Sequence, residues 1–386
     1  MPLALYLLAL AVFAMGTSEF MLAGLVPDIA ADIDVSVGSA GLLTSAFAVG
    51  MVLGAPLMAA VARRWPARSA LLGCVAVFAL CHVVAATTAS FTVLFGTRVV
   101  AAVANAGFLA VALSTAIGLV ATDQKGRALA VLLSGTTLAT VAGVPAGALL
   151  GTTLGWRAAF WAVALLCVPA GVAIVAGIRP GVAPASEVAA GPSLASELAA
   201  LRAPRLLLAM ALGALVNGGT FAVFTFVAPL VTGTAGLDEI WVPLALVLFG
   251  VGSFLGVTVA GRLSDRHSTR LLDVATPVLL LGWLALGVTA TRPLLVLGLV
   301  LVQGVVAFAV GSTLIARVLH AAAGAPTMAG SYATAALNLG ATAGPAVAAV
   351  SRSGSGDVGP VWVAAVLTGI ALLLLLTSRR ADPGRH

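Results

Sequence analysis

The sequence predicts an all-α membrane protein, with twelve transmembrane helices arranged as two bundles of six. Three observations support this fold class: the composition, the length of the apolar runs and an internal repeat. Of the 386 residues, 61% are hydrophobic and only 8% are charged, whereas about 25% of residues are charged in a typical soluble domain. No soluble fold could cover so much apolar surface, so we expect the chain to lie in a lipid bilayer.

Twelve apolar runs are long enough to cross the hydrocarbon core of a bilayer, which takes about 20 helical residues. The first run has no basic segment before it and is too long for the apolar part of a signal peptide, so we assign it as a spanning helix. Polar residues, glycine or proline separate the runs. The predicted spans are residues 3–26, 39–61, 69–88, 91–119, 128–150, 157–178, 206–231, 241–260, 271–290, 293–316, 327–350 and 358–377.

The longest break between spans divides the chain into halves. Residues 179–205 are rich in Ala, Pro and Ser, which is typical of a linker. We therefore predict an N-terminal six-helix bundle over residues 1–178, a cytoplasmic linker over 179–205 and a C-terminal six-helix bundle over 206–386.

The two halves repeat each other. A shift of 202 residues brings Gly50 onto Gly252 and Pro27 onto Pro229. Six spans separate the copies, and because six is even, both halves enter the membrane in the same orientation. This is the parallel type of repeat, in which a substrate site is expected near the midplane between the halves.

Basic residues are concentrated on one side of the predicted membrane. With the N-terminus inside, the inner loops and the C-terminal tail hold fifteen Lys and Arg residues, the outer loops hold three, and Arg98 lies within a span. This bias predicts a multi-pass protein of the inner (plasma) membrane with both termini in the cytoplasm. The net charge of +6 is explained by this topology, so we predict no nucleic-acid partner. The cysteines lack paired spacing and are predicted to be small apolar side chains: Cys74, Cys81 and Cys167.

Glu19 is the only charged side chain in the first predicted span. A charge in a membrane helix costs roughly 2.5–3.5 kcal/mol on insertion scales, so intramembrane charges are functional candidates with a partner to be found. Counting from the outer ends of their spans, Glu19 and Arg98 both lie roughly 10–12 Å deep at 1.5 Å per residue. Burial and a nearby arginine act oppositely on the proton affinity of a carboxyl group, and the sequence leaves open which effect prevails.

Two loop segments resemble a signature of the major facilitator superfamily. GRLSDRHSTR, after the eighth span, is similar to the family's glycine, Asp-Arg pair and trailing basic residue. Its N-terminal counterpart, AAVARRWPAR, departs from the pattern, because Arg63 replaces the acid and Pro66 replaces a glycine. The resemblance implies that the family's usual contact between the loop acid and a helix can form only in the C-terminal loop, through Asp265. It also implies a conformational role for five loop residues: Asp265, Arg266, Arg270, Arg64 and Arg68.

Two helix segments resemble signatures of proton-driven exporters in the same superfamily. LFGTRVVAAVANAG, which contains Arg98, is similar to the fourth-helix arginine signature, although Ala101 and Ala102 replace the usual glutamine and glycine. GTTLATVAGVPAGALLG is similar to the Gly/Pro signature of the fifth helix in antiporters. The resemblance implies that helix 5 takes part in the conformational change through Gly143, Pro145 and Gly147.

The closest resemblance is to actinobacterial chloramphenicol-resistance exporters. It is carried by MGTSEFMLAGLVPDIA and by NAGFLAVALSTA with the segments that follow them. It implies proton-driven efflux of a small neutral antibiotic, with chloramphenicol as the expected substrate, by alternating access. An exporter of sugars or other drugs is the alternative, as is a passive facilitator, which would not need Glu19.

In this hypothesis, Glu19 takes a proton from outside as the drug leaves and delivers it inside, while Arg98 tunes or relays that proton. The competing interpretation is a buried pair that only fixes helix packing. Further polar and aromatic residues are candidates to line a substrate cavity: Tyr6, Thr17, Phe20, Asn105, Thr140, Asn217, Gln303, Tyr332 and Asn338. The competing interpretation of the polar ones is that they only form hydrogen bonds between helices. His82, in the third span, is predicted to be a packing residue.

Enzyme and ATP-driven pump functions are not supported. The chain has no glycine loop ending in Lys-Ser/Thr, no paired acidic motif and no His/Glu metal cluster within the spans. We therefore expect no cofactor and no metal, and partners limited to drug, protons and the bilayer, with the chain acting as a monomer. At the 202-residue offset, Phe221 replaces Glu19 and Val300 replaces Arg98, so coupling is expected in the N-terminal half alone.

Overall fold

The structure, a computed structural model, describes residues 2–62, 65–121, 124–178, 199–325 and 328–380. None of these residues lies in a β-strand, which confirms the predicted all-α class. The chain divides into two compact units, Met1–Gly191 and Pro192–His386. Most of the predicted linker lies outside the described residues, and its last part forms a 3-10 turn at Ala199–Arg202.

The first unit contains eight helices among its described residues. A 3-10 turn at Met21–Gly24 follows the first helix, and a π-helical turn at Ala139–Gly143 separates the sixth from the seventh. The helices are α1 Leu3–Phe20, α2 Val26–Ile33, α3 Val37–Ala62, α4 Ala67–Thr87, α5 Phe91–Gly118, α6 Lys125–Leu138, α7 Val144–Leu154 and α8 Trp156–Gly177.

The second unit contains five long helices among its described residues. A helical turn at Val227–Pro229 and a π-helical turn at Leu230–Thr234 follow the first of them, and a 3-10 turn at Gly356–Val358 precedes the last. The helices are α9 Pro204–Thr225, α10 Trp241–Val288, α11 Pro293–Ala321, α12 Ala329–Ser355 and α13 Gly359–Arg380. Trp283, Leu279 and Val310 are among the buried residues of its apolar core.

Eleven segments of the described chain are long and apolar enough to cross a membrane. The last of them, residues 329–378, contains both α12 and α13. Since each of these helices has more than 20 residues, counting them separately gives the twelve predicted spans.

Three prolines account for irregular turns within predicted spans. A proline has no N–H to donate to the carbonyl four residues before it, and its ring clashes with that carbonyl. Pro27 and Pro145 accordingly follow the turns at Met21–Gly24 and Ala139–Gly143. Pro229, at the repeat position of Pro27, follows the end of α9.

The predicted break at residues 261–270 lies inside α10, whose 48 residues include both of the spans predicted on either side of it. Gly252 lies against Leu301 and Gly282 lies against Gln303, although a straight helix would place those glycines about 45 Å apart. The chain therefore reverses direction between them.

Helix packing supports the internal repeat. A methyl group on Gly50 would collide with the backbone oxygen of Val99, and one on Gly252 would collide with that of Leu301. Leu301 lies 202 residues after Val99, as Gly252 does after Gly50. The same close approach of two helix backbones is therefore present in both units, between α3 and α5 and between α10 and α11.

Candidate coupling site

The first span brings two polar residues to the end of its α-helical part. Ser18 and Glu19 lie in the last turn of α1, just before the 3-10 turn at Met21–Gly24. The Ser18 side chain is fully buried, whereas Glu19 is half-buried. The Ser18 hydroxyl therefore lies in the protein interior, whereas the Glu19 side chain remains partly accessible.

Arg98, in α5, is 1% exposed and is held mainly by Ser18. Its Nη1 donates to the Ser18 hydroxyl oxygen at 2.8 Å, and its Nη2 donates to the Ser18 backbone oxygen at 2.9 Å. The Arg98 Nε is buried and has no partner among the described residues. Two parallel hydrogen bonds from one guanidinium fix both its position and its plane.

Phe47, in α3, covers one face of the guanidinium. The Arg98 Cζ lies 4.4 Å from the centroid of the Phe47 ring, and the ring is 2% exposed. A cation over an aromatic face is stabilised by the ring quadrupole, most strongly where water is excluded. Phe47 therefore stabilises the Arg98 charge without neutralising it.

His82, in α4, binds the other side of the Ser18 hydroxyl. The Ser18 Oγ lies 2.6 Å from His82 Nε2, and His82 Nδ1 lies 2.7 Å from the Phe78 backbone oxygen. Because a carbonyl oxygen can only accept, Nδ1 carries the proton, and in a neutral ring Nε2 is then an acceptor. The Ser18 hydroxyl consequently donates to His82 while it accepts from Arg98.

Glu19 interacts with Arg98 at longer range. The two side chains attract each other electrostatically, but within the described part of the chain the Glu19 carboxylate takes part in no hydrogen bond or ion pair. Arg98 directs its two Nη donors to Ser18 instead. The sequence predicted Arg98 as the partner of Glu19, and the structure places Ser18 in direct contact with that arginine.

This arrangement has a defined chemical capacity. An arginine side chain remains protonated under ordinary conditions, and here neutral groups hold it in place. Glu19, by contrast, carries a carboxylate, which is a group that can take up and release a proton. The pair would therefore change between net charges of zero and +1, with the arginine acting as a constant positive neighbour.

The cavity candidates of the first unit lie in several different environments. Tyr6 is 52% exposed, and Phe20 is half-buried. Thr17 donates to the Phe13 backbone oxygen of its own helix, and Thr140, in the π-helical turn, donates to the Thr137 backbone oxygen at the end of α6. Asn105 is buried, with its Nδ2 3.6 Å from the sulfur of Met51.

In the second unit, the candidates are hydrogen-bonded or buried. Asn217 donates to the Leu337 backbone oxygen at 2.7 Å, and Asn338 donates within its own helix at 3.0 Å. Gln303 is 1% exposed and donates to a backbone oxygen of α10 at 3.1 Å. Tyr332 is buried in a small apolar cluster with α9. A role of these residues in substrate binding stays a prediction.

The glycines of the fifth span lie against the first span of the same unit. Gly143 lies against Thr17, and Gly147 lies against Met21. Pro145, which stands between these two glycines in the sequence, is also buried. Among the loop residues, Arg68 is half-buried and Arg270 is exposed. Arg64 lies outside the described residues, as do the side chains of Asp265 and Arg266. The conformational roles implied for all of these residues stay predictions.

The sequence analysis did not identify Ser18 or Phe47 as neighbours of Arg98 and assigned His82 to packing. His82 also lies among rings, with centroids 4.3 Å from Phe78 and 5.8 Å from Phe160. The available signals were weak: a serine directly before the charged residue, and a single histidine in the first six predicted spans.

Duplicated helix packing, twelve spans and a buried charged site define a polytopic membrane protein of the transporter class. Residues 8–345 match the family model of the Major Facilitator Superfamily. The chain belongs to this superfamily and is therefore a transporter of a small-molecule substrate rather than an enzyme.

Relatives match almost the whole chain, among them one from Streptomyces lividans and one from Escherichia coli. The chain is 65% identical over 380 residues to a chloramphenicol resistance protein of Streptomyces lividans, covering 98% of this chain and 97% of that protein. It is 34% identical over 377 residues to the inner membrane transport protein YdhP of Escherichia coli (strain K12), covering 97% and 96%.

The fold is also found in a solved structure. The crystal structure of a bacterial homologue of the human lysosomal transporter Spinster, in an inward-facing and unoccupied conformation, aligns with a TM-score of 0.80. The alignment covers 98% of this chain and 96% of that one, at 17% identity. At this identity the likeness shows a common fold.

Proposed function

We propose that this transporter exports a small neutral antibiotic, chloramphenicol in the first instance, in exchange for protons. The substrate is proposed because a chloramphenicol resistance protein is 65% identical over nearly the full length of both chains. The proposed driving force is the proton gradient across the plasma membrane. We further propose that both termini lie in the cytoplasm and that the chain acts as a monomer without a cofactor.

The observation that carries the coupling proposal is the state of Glu19. Its carboxylate is half-buried in a membrane span, has no hydrogen bond or ion pair among the described residues, and still interacts electrostatically with Arg98. A structural ion pair would be expected to have direct contact. A carboxylate without such contact can exchange a proton whenever water reaches it.

In the proposed cycle, Glu19 binds a proton from the outside as the drug is released there. The protein then changes from outward to inward access, and Glu19 releases the proton into the cytoplasm as a new drug molecule binds. Arg98 keeps its charge throughout and favours the ionised carboxylate in the step that releases the proton. Alternating access of the two halves is part of this proposal.

The test is drug transport by purified protein in liposomes with an imposed pH gradient. We expect Glu19→Gln to abolish gradient-driven chloramphenicol transport, because glutamine keeps the size and polarity of the side chain but cannot be protonated. Glu239→Gln makes the same change at an exposed position outside the helices and should behave as wild type. Full gradient-driven transport by Glu19→Gln would refute the assignment.

The same assay separates the remaining alternatives. Wild-type transport that ignores the pH gradient would indicate a passive facilitator. Gradient-driven proton movement that sugars or other drugs elicit, but chloramphenicol does not, would indicate a different exporter. Expression in a sensitive host should raise the inhibitory concentration of chloramphenicol, and an uncoupler should remove that protection.

A further inference from the structure

We infer that Ser18 and His82 are positioning residues, which hold the Arg98 guanidinium beside Glu19 through one continuous hydrogen-bond chain. The chain runs from Arg98 Nη1 to Ser18 Oγ at 2.8 Å, from Ser18 Oγ to His82 Nε2 at 2.6 Å, and from His82 Nδ1 to the Phe78 backbone oxygen at 2.7 Å. The inference rests on the proposed coupling role of Glu19 and Arg98.

The direction of every hydrogen bond in the chain follows from the last acceptor, the Phe78 backbone oxygen. The Phe78 carbonyl has no proton to give, so it fixes the His82 proton on Nδ1 and leaves Nε2 to accept. The Ser18 hydroxyl proton then points at His82, and its lone pairs face Arg98. Without His82 the hydroxyl could turn its proton elsewhere, so the histidine selects the rotamer that suits the arginine.

Burial makes this selection important. Ser18, His82 and Arg98 are each no more than 1% exposed, so water does not replace a lost partner at low cost. Hydrogen bonds to charged groups are the stronger ones, and an unsatisfied buried donor carries a penalty. The arginine already has one unpaired donor, its Nε, and loss of the Ser18 hydroxyl would add a second.

The positioning role has a mechanical reason. Arg98 interacts with Glu19 without touching it, so the strength of that interaction depends on where the guanidinium is held. The Ser18 backbone oxygen and the Phe47 ring restrain the guanidinium as well, but only the hydroxyl connects it to α4. The chain therefore joins three helices, α1, α4 and α5, at the residue next to Glu19.

The first test uses paired substitutions in the full-length protein. Ser18→Ala removes the hydroxyl and Ser18→Thr keeps it. His82→Asn can still reach the Phe78 oxygen from near the Nδ1 position but loses the acceptor for Ser18, whereas His82→Gln places an amide oxygen near Nε2. Ser134→Ala removes an exposed serine hydroxyl from the same unit and is the control.

Two transport modes are measured in liposomes: gradient-driven chloramphenicol transport and drug exchange without a gradient. We expect Ser18→Ala and His82→Asn to slow gradient-driven transport about tenfold, the loss expected from one hydrogen bond to a charged group, with exchange and drug affinity unchanged. Ser18→Thr and His82→Gln should restore most of the rate. Equal losses in both modes, or no loss in either, would overturn the positioning role.

A spectroscopic measurement tests the hydrogen-bond chain without any transport. In protein labelled with ¹⁵N-histidine, the His82 resonances, assigned with His82→Asn, should report a neutral ring protonated at Nδ1, and Ser18→Ala should shift the Nε2 resonance. A proton on Nε2 would overturn the inference. If the resonances are as expected but Glu19→Gln retains gradient-driven transport, the coupling proposal fails while the positioning of Arg98 stands.

Discussion

Substitution of Phe47 by leucine tests how the protein stabilises a buried charge without an ion pair. The ring centroid lies 4.4 Å from the Arg98 Cζ, and the two side chains are 2% and 1% exposed. A cation–π contact is worth about 2 kcal/mol when both partners are desolvated. Since each 1.4 kcal/mol is a factor of ten, this contact should change the unfolding equilibrium about thirtyfold.

A double-mutant cycle separates this contact from lost packing. Phe47→Leu, Arg98→Met and the double substitution are compared by titrating the detergent-solubilised protein with SDS and following far-ultraviolet circular dichroism. The expected coupling free energy is about 2 kcal/mol, because leucine costs less once the cation is absent. Each single variant loses other contacts as well, and the cycle removes those losses from the result.

The internal repeat supplies a matched control. Phe249 occupies the position 202 residues after Phe47, but its ring contacts are aromatic, with centroids 4.9 Å from Phe224 and 5.8 Å from Phe308. The cycle of Phe249→Leu with Arg98→Met should therefore be additive within about 0.5 kcal/mol. Equal coupling in both cycles, or coupling below about 0.5 kcal/mol for Phe47, would show that Arg98 is not stabilised through the ring.

Two further predictions concern helix packing and are measured on purified protein. Gly50→Leu should prevent a monodisperse peak in size-exclusion chromatography, because the new side chain would collide with the backbone of α5. Gly96→Leu should give a normal peak, since a methyl group at that glycine would have nothing within 4 Å. A normal peak for Gly50→Leu would contradict the close approach. Asn217→Ala should lower the free energy of unfolding in the SDS titration by about 1 kcal/mol, through loss of the hydrogen bond to Leu337. Asn338→Ala should lower it by less, because the Asn338 amide donates within its own helix. The reverse order would contradict the assigned partners.

The sequence was sufficient for the fold class, the spans and the repeat, because these depend on apolar length and periodic glycines. It did not reveal the turns inside spans beforehand, although Pro27 and Pro145 explain them afterwards. The break at residues 261–270 was predicted from its polarity, and the structure places it inside α10, where the chain reverses direction. Polarity shows where a chain leaves the apolar phase, and it does not show whether the connection is helical.

The site was predicted only in part for a physical reason. A charge in an apolar span is conspicuous, so Glu19 and Arg98 could be identified from the sequence. Their neighbours could not, because α1 and α4 are apolar on most sides and no periodicity shows which face meets which helix. Ser18 acquires its role from the approach of α4 and α5, which is a property of tertiary packing.

The duplicated positions give the sharpest view of how the site is specialised. Phe47 has its counterpart in Phe249, but Val300 stands 202 residues after Arg98. The Phe249 ring accordingly packs against other aromatic rings instead of a cation. Thr220, the counterpart of Ser18, donates its hydroxyl to a backbone oxygen of its own helix at 2.9 Å. The second unit thus retains the scaffold of the site without its charge.

This asymmetry limits what the proposed exchange can do. Phe221 occupies the repeat position of Glu19, so the carboxylate that we propose to bind the proton has no counterpart at this position of the second half. In the proposed cycle, one proton would then enter for each neutral drug molecule that leaves. That exchange moves one positive charge inward, so the membrane potential would assist export together with the pH gradient. A carboxylate that interacts with a buried arginine suits this proposed cycle, in which Arg98 would keep its charge and the proton on Glu19 would be the charge that moves.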